Sequence, residues 1–566
     1  MLKDSLRSVF AGIVPVFWAL SVLEMTMKKK MLGVVLAILP ALAGAQAPPP
    51  ANPNLPSFRE SVEVRVMDLD VVVTDSKGRP VPDLKQEDFI VRVAGQPVPI
   101  DYFTRVEEGA IHAPDLATAS PELVLAEYRK GPDAYVPRHF LIYFDLGHLS
   151  LQGRKRGVEA LRDLVTRLGP GDSARVVSFD RRPRTLAEWT TSKETVLSSF
   201  DSIERAGVAQ SRLMTELQTL RDIDTSPRRS RAFLARNYAE QERVEVQKML
   251  IDMNTEMATL TALNGKKSFL FVSGGFDMQP GSAMMQYAVG SFSLSQFDTR
   301  SVAPEVEAAV RRANASDVTF YTVDARGLTA EGVSAGGDDP LLMRPSVAFF
   351  ARQDSQAGLV QLAQQTGGLA LLNTNDISRG MSQIYGDTSS YYSIGVTVSK
   401  LPGTGYRDVK VEVSRPGTVV RARRGFAPRT PNERARDVAQ AALRSNVEYK
   451  AIPVTMFLAP ATKGKKHYQL PIKLSMPASS LTFLTEGEAG RAVADLYIAV
   501  IDENGSMSDV GHEEAIFKLP KDAPPDSKLA YTVALEVRKG NARVVVNVRD
   551  RESGRMGTAK ADVRVE

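Results

Sequence analysis

The order of apolar and polar residues predicts a β-domain near the start of the chain. Apolar and polar residues alternate from Val62 to Thr74, a turn follows at Asp75–Gly78, and a second alternating segment runs from Glu87 to Val93. A period of two with Gly, Pro and Asp turns is typical of short, half-buried strands. We therefore predict a small β-domain over residues 57–107.

The pattern changes in the middle of the chain, where short apolar runs alternate with segments whose apolar residues recur at helical spacing. Such runs are typical of parallel strands buried on both faces, and they occur at His139–Phe144 (followed by Asp145), Ala174–Phe179, Ser268–Ser273 and Val318–Val323. Between them, residues such as Val158, Leu161 and Val165 recur at the spacing of one helix face. This alternation predicts a doubly wound, mostly parallel α/β sheet over residues 136–387.

A helical insertion, residues 207–263, separates the second and third of these strands. Six apolar residues share one helix face there: Val246, Met249, Leu250, Met253, Met257 and Leu260. A methionine-rich face can bind a partner, but packing on the sheet is the expected role. The more polar stretch Arg231–Arg243 is expected to project as a helical arm.

The period returns to two after Thr388. Residues 388–427 are predicted to form a β-hairpin extension, and a charged linker and helix follow from Pro428 to Arg444. The tail, residues 446–566, contains many short alternating segments. It is predicted to be an immunoglobulin-like β-sandwich, although it has no cysteine pair.

Residues 1–46 have the pattern of an export signal. Three lysines at 28–30 precede an apolar stretch and the small residues Ala43–Ala45, which is the arrangement of a secretory signal peptide. Met25 or Met27 is the predicted translation start, and the apolar stretch is too short to span a bilayer. We predict a protein that is secreted or lies in the periplasm or cell envelope, with no stable membrane span in its mature form.

The amino-acid composition excludes every function that depends on cysteine and gives no support for nucleic-acid binding. The 566 residues include no cysteine, which excludes a disulfide framework, a thiol nucleophile, an iron–sulfur cluster and a thiolate zinc site. The formal net charge is +5, and the first 45 residues hold five lysine or arginine residues against two acidic ones. The remaining chain is too close to neutral to argue for nucleic-acid binding.

Short motifs carry a family resemblance. They are Val73–Val81 with Glu87–Phe89, Tyr321–Leu328, Leu362–Gly368, Tyr391–Gly395, and Tyr406–Val411 with Arg421–Phe426. Together with Gly169–Val176 and Val272–Phe276, they are similar to bacterial VWFA-related domain proteins of the von Willebrand factor type A family. The resemblance covers about residues 60–427. It implies a Rossmann-like von Willebrand factor A domain, flanked here by N-terminal and C-terminal β-sandwich-like domains.

The resemblance also implies a metal-ion-dependent adhesion site, with Asp-x-Ser-x-Ser on the first loop, Thr on the second and Asp on the third. Asp145 stands at the first Asp position, but Gly147 and Leu149 replace the two serines and Gly274 replaces the third-loop aspartate. We therefore predict a degenerate site in which Asp145 caps the following helix or bonds to loop backbone.

The alternative is a surviving site for Mg²⁺ or another divalent cation, held by substitute ligands. Thr215 is the candidate threonine of the second loop. Ser150 and Asp277 are the candidate substitutes that would join Asp145 as oxygen ligands, whereas His148 suits Mg²⁺ poorly. No other cofactor is expected.

These features predict a non-enzymatic, adhesion-type exported protein that binds another protein or a surface glycan. The expected contact surfaces are the loops after Asp145, Ser273 and Asp324 and the helical arm 211–263. In the last of these loops, Asp324 is expected to form a bracing ion pair with Arg326.

Two alternatives stay open for the function. One is a purely structural component of the cell envelope, in which the α/β domain is a spacer. The other is a hydrolase whose site is assembled around Asp145, with His148 and Asp277. The sequence has neither a Gly-x-Ser-x-Gly elbow nor a His-Glu-x-x-His motif to favour it.

Overall fold

The computed structural model describes most of the chain after residue 65. The described ranges are 66–112, 135–206, 210–261, 263–290, 301–327, 344–397, 405–427, 430–446, 448–464, 467–486, 489–503, 507–520 and 526–566, with short stretches at 329–330, 333–334, 341, 505 and 523–524. The predicted signal region, residues 1–46, lies outside them.

The described chain begins with strands that show the predicted period of two. They are β1 (Val66–Asp75), β2 (Phe89–Val93), β3 (Gln96–Val98), β4 (Tyr102–Glu107) and β5 (Ala110–His112), with a 3-10 turn at Gln86–Asp88. In β2, Phe89, Val91 and Val93 are buried while Ile90 is exposed. This is the burial expected of a strand with one face in a core.

The central region forms the sheet that the apolar runs predict. Its strands are β6 (Arg138–Asp145), β7 (Ser173–Asp180), β8 (Arg182–Thr190), β9 (Lys266–Ser273), β10 (Val318–Asp324) and, after a separate pair β11 (Thr329–Ala330) and β12 (Val333–Ser334), β13 (Ala370–Leu371). The order is β13-β10-β9-β6-β7-β8, and only β7–β8 is antiparallel. The α/β class is confirmed.

Helices cover both faces of this sheet. They are α1 (Leu151–Thr166), α2 (Lys193–Arg205), α3 (Gln210–Thr225), α4 (Arg228–Thr261), α5 (Ser282–Val289), α6 (Ala303–Ala315), α7 (Pro345–Gln365) and α8 (Ile377–Ser389). Phe140 and Ile142 of β6 pack in a core with α1, α2 and α8, whereas Leu141 and Tyr143 pack with α4, α6 and α7. Because successive side chains enter two cores, the central five residues of β6, Phe140–Phe144, are all apolar.

The helical insertion divides into two parts with different surroundings. The methionine-rich stripe Val246–Leu260 is buried against the sheet, as predicted. The projecting arm is a correction: Ala235 and Tyr238 of α4 pack against α5, and Val347 of α7 lies in the same cluster. We call α3, residues 228–243 of α4, α5 and the start of α7 the helical cap. Apolar residues spaced along the polar stretch give α4 a second buried face there.

Residues after 390 complete the N-terminal β-domain. They form β14 (Tyr391–Thr397), β15 (Arg407–Val413), β16 (Thr418–Arg421) and β17 (Gly425–Phe426), and the sheets are β16-β1-β14-β4-β5 and β17-β15-β2-β3. Two expectations are corrected: β14 and β15 do not pair as a hairpin, and segment 57–107 does not form a domain without them. Alternation shows that a residue is on a strand but not which strand is its partner.

The C-terminal region contains two antiparallel sheets and one helix. Its elements are α9 (Pro431–Arg444), β18 (Thr455–Leu458), β19 (Thr462–Lys463), β20 (Tyr468–Pro477), β21 (Leu484–Glu486), β22 (Ala489–Asp502), β23 (Gly511–Pro520), β24 (Lys528–Val537), β25 (Gly540–Asp550) and β26 (Met556–Val565), with a 3-10 turn at Ala478–Ser480. Strands of both sheets share one core. Helix α9 packs on the outer side of the sheet that contains β22 and β25.

Within the described ranges, no helix combines the length and the apolarity that crossing a bilayer requires.

Candidate functional site

Three polar side chains lie at the carboxyl edge of the central sheet. Strands β6, β9 and β10 end at Asp145, Ser273 and Asp324, and the register pairs Phe144 with Val272 and Asp324 with Ser273. Ligands of parallel α/β sheets bind at this edge. Asp145 and Asp324 therefore lie at the edge at which the sequence places them.

Asp145 is held by two neighbouring side chains. Its Oδ2 accepts a hydrogen bond from the Ser273 hydroxyl at 2.7 Å and lies 2.7 Å from Nδ1 of His148. The carboxylate is fully buried. Asp145 therefore neither caps α1 nor bonds loop backbone through its side chain. Its Oδ2 is occupied by His148, which the hydrolase alternative groups with Asp145, and by Ser273, which the sequence did not associate with it.

Ser150 has a different role from the one predicted. It is the N-cap of α1, and its Oγ accepts the backbone N–H of Gly153 at 3.0 Å. This is the cap that the sequence analysis assigned to Asp145. A serine immediately before a helical apolar pattern is the signal that identifies such a cap.

The other two metal candidates lie in or beside the helical cap. Thr215 is inside α3. Asp277 follows β9, and its charge acts on Tyr238 of α4: burial raises the pKa of Tyr238 well above its ordinary value, and nearby carboxylates including Asp277 add to this. Across the described ranges, no three His, Asp or Glu side chains come together as a ligand group.

The carboxyl edge does not fit a divalent cation. The buried Oδ1 of Asp145 has no hydrogen-bond partner in the described part of the chain, so this single carboxylate oxygen is available as a ligand. Mg²⁺ keeps several waters among its six oxygen ligands, but the side chains that would supply the remaining oxygens are missing here: Gly147 and Gly274 have no side chain, and the Ser150 hydroxyl caps a helix.

Backbone fills the position of the third-loop aspartate. A Cβ on Gly274 would lie 2.1 Å from the carbonyl oxygen of His148. Next to it, Gly275 has a φ of +86°, and its Cβ would lie 2.6 Å from the Ser355 carbonyl. The two glycines let the loop after β9 pass directly against backbone, so no carboxylate fits at residue 274.

We expect Gly274→Ala to lower the free energy of unfolding by roughly 2–3 kcal/mol, because the methyl group would meet backbone that can move only with the Asp145 loop. Urea unfolding followed by the fluorescence of Trp189, a buried residue of β8, measures the change. Gly386→Ala is the matched control, because nothing lies within 4 Å of its Cβ position on α8. Equal stability of the two variants would contradict the close approach.

Asp324 is braced as predicted. Arg326 donates from Nε to Oδ1 at 2.9 Å and from Nη2 to Oδ2 at 2.8 Å, and Gln356 donates to Oδ2 at 2.8 Å. Burial by itself would raise the pKa of Asp324, but the charge and hydrogen bonds of Arg326 hold it below its ordinary value. Asp324 is therefore a structural carboxylate that orders this loop.

The site contains serine, histidine and aspartate, but not in the order of a nucleophilic triad. In such a triad the histidine lies between the serine and the aspartate. Here the Ser273 hydroxyl donates directly to Asp145 and also accepts from the N–H of Gly275 at 2.9 Å. Ser273 is fully buried, so its oxygen is not presented to a substrate.

The structure adds a feature that the sequence analysis missed, the arginine hairpin. Arg181, Arg182 and Arg184 are exposed around the turn between β7 and β8, and none forms an ion pair with another residue in the described ranges. Arg181 is at the apex with a φ of 60°. The backbone N–H of Leu146 donates to Phe179 at the base of this hairpin, at 2.8 Å.

The signal for the arginine hairpin was present as the local sequence Asp-Arg-Arg-Pro-Arg at 180–184. It was overlooked because β8 is an edge strand whose first half is exposed and polar, which removes the apolar alternation that identifies a strand.

Comparison with known proteins leaves the family open. No protein-family model and no curated protein matches the chain. Solved structures that resemble it include a von Willebrand factor type A protein from Catenulispora acidiphila, at 9% identity over 89% of this chain and 74% of that one, with a TM-score of 0.22. They also include BatB from Bacteroides thetaiotaomicron, at 10% identity over 44% of this chain and 97% of that one, with a TM-score of 0.21.

A third similar structure is an aerotolerance-related membrane protein from Bacteroides fragilis, at 10% identity over 44% of this chain and 98% of that one, with a TM-score of 0.22. Similarities this distant support no conclusion about function. The proposals below therefore depend on the residues of this chain.

Proposed function

We propose that this chain is an exported, non-enzymatic binding protein that contacts an acidic protein surface through the carboxyl edge of its central sheet, without a divalent cation. The observation that carries the proposal is the arginine hairpin. Three guanidinium groups with no ion-pair partner in the described chain stand beside the loop of Asp145.

The chemistry of arginine suits a carboxylate-bearing partner. A guanidinium presents a planar set of donors that matches a carboxylate with two parallel hydrogen bonds. Arg182 and Arg184 are two residues apart on β8 and so share one face of the strand. A cluster of like charge also attracts an oppositely charged surface and speeds association.

The site geometry supports binding without a metal. In the family that the sequence resembles, a cation at this edge takes a carboxylate from the partner. Here the backbone of His148 closes the position of Gly274, and Ser273 and His148 occupy Oδ2 of Asp145. The exposed positive charge at this edge comes from arginine side chains instead.

Export and an envelope location remain part of the proposal, and they rest on the signal-like pattern before residue 47. An acidic protein and an acidic surface glycan both offer carboxylates. We favour protein, and the two are distinguished by the choice of immobilised probe.

The test is binding of the full-length chain to immobilised poly-L-glutamate and, in parallel, to polygalacturonate, with Mg²⁺ or with a chelator. The triple variant Arg181→Gln, Arg182→Gln, Arg184→Gln is expected to bind poly-L-glutamate at least about tenfold more weakly, which is roughly 1.4 kcal/mol. The chelator is expected to have no effect.

The matched control changes the same net charge elsewhere. Arg221, Arg228 and Arg229 are exposed around the turn between α3 and α4, and their triple replacement by glutamine is expected to keep most of the binding. If both triple variants lost the same amount of binding to poly-L-glutamate, net charge alone would explain the loss and the proposal would be contradicted. Binding abolished by the chelator would restore the metal-dependent alternative, and preference for polygalacturonate would identify a glycan partner.

A further inference from the structure

Strand β24 leaves one of its two edges unpaired in the C-terminal region. Its ten residues, Lys528–Val537, all pair with β20 and with no other strand that the structure describes. Alternate residues of an edge strand direct their backbone N–H and C=O groups away from the sheet. Alternate residues of β24 therefore have hydrogen-bonding groups that no described strand satisfies.

The other edge strands of the described sheets are protected in ways that β24 is not. Short length, charged side chains and proline are the usual devices that keep a sheet edge from pairing with another chain. Most of the other edge strands have four residues or fewer. The longer ones, β8, β23 and β26, carry charges or proline at Arg182, Pro183, Arg184, Glu513, Glu514, Lys518, Lys560, Asp562 and Arg564.

The centre of β24 has none of these devices. Residues 529–535 include no charged residue and no proline, and the pairing with β20 runs without a bulge. An edge that is long, regular and uncharged pairs readily with a further strand. We therefore looked to the chemistry of β24 itself for the strand that would complete it.

The two charged residues of β24 stand at equal distances from its centre. Lys528 is four residues before Thr532 and Glu536 is four residues after it, which is about 13 Å in each direction along a strand. All three side chains are exposed on the outer face of the sheet. Within the described ranges Lys528 and Glu536 have no ion-pair partner, although the amide of Gln469 donates to Glu536 at 3.1 Å.

We propose that β24 pairs antiparallel with β24 of a second copy of the chain, about a two-fold axis at Thr532. In a two-fold interface, residue i meets residue j while j meets i. With this axis Lys528 of each copy lies opposite Glu536 of the other, and Ala530 lies opposite Ala534. The order of charges along β24 is thus the order that an antiparallel copy of itself requires. The proposal goes beyond the proposed function and does not depend on the arginine hairpin.

The inner face of β24 also suits this pairing. Leu529 is buried in the core that the two C-terminal sheets share, and Tyr531, Val533 and Leu535 are half-buried in it. The same axis places Leu529 opposite Leu535 and Tyr531 opposite Val533 of the other copy. Apolar pairs of this kind, above all an aromatic residue opposite a β-branched one, stabilise antiparallel sheets. The pairing therefore extends the apolar core from one copy to the other.

Charge complementarity favours this arrangement over other strands at the same edge. A partner strand with charges of one sign would place a like charge opposite Lys528 or Glu536, and like charges directly opposite each other destabilise a strand pair. A parallel copy in register would oppose lysine with lysine and glutamate with glutamate. The antiparallel copy avoids both conflicts.

The first test is the mass of the full-length chain in solution, measured by light scattering and sedimentation equilibrium between about 1 and 100 μM. A dimer is expected. Thr532→Lys should weaken it at least about tenfold, because the axis places each new lysine opposite its own copy. Thr455→Lys is the matched control, since Thr455 is exposed on β18 at the other side of β20, and it should remain dimeric.

Charge reversal tests the register of the pairing. Lys528→Glu and Glu536→Lys should each weaken the dimer at least about fivefold, because each creates two like-charge pairs across the axis. An equimolar mixture of the two variants should restore the dimer, since every glutamate then faces a lysine. That rescue separates loss of the interface from misfolding.

A cross-linking test uses the absence of cysteine from the chain. Thr532→Cys is expected to give a disulfide-linked dimer on mild oxidation, because residues directly opposite in antiparallel strands have Cα atoms within about 5.5 Å. Thr455→Cys should stay unlinked. A wild-type chain that is monomeric at every concentration, a dimer unchanged by Thr532→Lys, a mixture that fails to restore the dimer, or equal cross-linking of the two cysteine variants would each overturn the proposal.

Discussion

Asp172→Ala is expected to lower the free energy of unfolding of the central α/β region by about 3–5 kcal/mol. Asp172 lies at the amino-terminal end of β7 and is buried beside Arg138 of β6. Its carboxylate accepts from the Arg138 guanidinium at 2.6 and 3.0 Å and from the backbone N–H groups of Arg138 and Gly169 at 2.8 and 2.7 Å. The Tyr135 hydroxyl adds a bond at 3.0 Å.

The size of the effect comes from what remains after the substitution. Arg138 is 2% exposed, and alanine would leave its charge buried without a carboxylate. Two backbone N–H groups and the Tyr135 hydroxyl would also lose their acceptor. A buried charge that loses its partner costs far more than the intact pair contributes relative to apolar residues.

Urea unfolding followed by Trp189 fluorescence measures this loss. Asp163→Ala is the matched control, because Asp163 forms a comparable pair with Arg167 on the surface of α1, each side chain being 41% exposed. That variant should change the stability by less than about 1 kcal/mol. Similar losses from the two variants would show that burial does not determine the contribution of Asp172.

Asp252→Asn is expected to remove a pH dependence of the same region. Asp252 of α4 is 8% exposed and accepts the Tyr143 hydroxyl at 2.8 Å. Burial raises its pKa to about 7, the charge of Glu256 one turn later adds to this, and the Tyr143 bond with Arg444 and Arg175 opposes it. These groups come from β6, β7, α4 and α9.

Because the pKa of Asp252 is raised in the folded chain, this carboxyl makes the protein less stable as the pH rises. The folded chain holds the proton of Asp252 up to about pH 7, whereas the unfolded chain releases it near the ordinary pKa of 3.8. The contribution of Asp252 to the free energy of unfolding is therefore fully present below about pH 4 and is lost as the pH rises to about 7. The full loss corresponds to roughly 4 kcal/mol.

The measurement is the free energy of unfolding of the wild-type chain and of Asp252→Asn at several pH values between about 4 and 8. The asparagine variant should gain stability relative to wild type as the pH rises, because its amide keeps an acceptor for Tyr143 without a charge. Asp201→Asn, on an exposed carboxyl of α2, should give no such gain. A constant difference between Asp252→Asn and wild type across this range would contradict the raised pKa.

Tertiary contacts decided which charges are available for binding. Arg138 and Arg421 are basic residues in the sequence like any others, but their guanidinium groups are bound to Asp172 and Asp387, each 34 residues away along the chain. Arg181, Arg182 and Arg184 are not paired with described residues. Sequence shows the charge of a residue but not whether a carboxylate from a distant part of the chain neutralises it.

The sequence by itself determined the central sheet and the position of Asp145 and Asp324 at the ends of its strands. Strands β6, β9 and β10 are buried on both faces, so their central positions are mostly apolar and the strands are recognisable without knowing their neighbours. The methionine-rich stripe of α4 was likewise predictable, because the spacing of a buried helix face is a local property. The bracing pair of Asp324 and Arg326 spans two residues and was predictable for the same reason.

Only the tertiary structure decided which distant segments meet. Strand β14 pairs with β1 and β4, nearly the whole α/β region away in sequence, and a period of two carries no information about that partner. The closure of the carboxyl edge depends on the His148 carbonyl against Gly274 and on the Ser273 hydroxyl at Asp145. These contacts join residues from separate strands and loops, and they exist only once the sheet has formed.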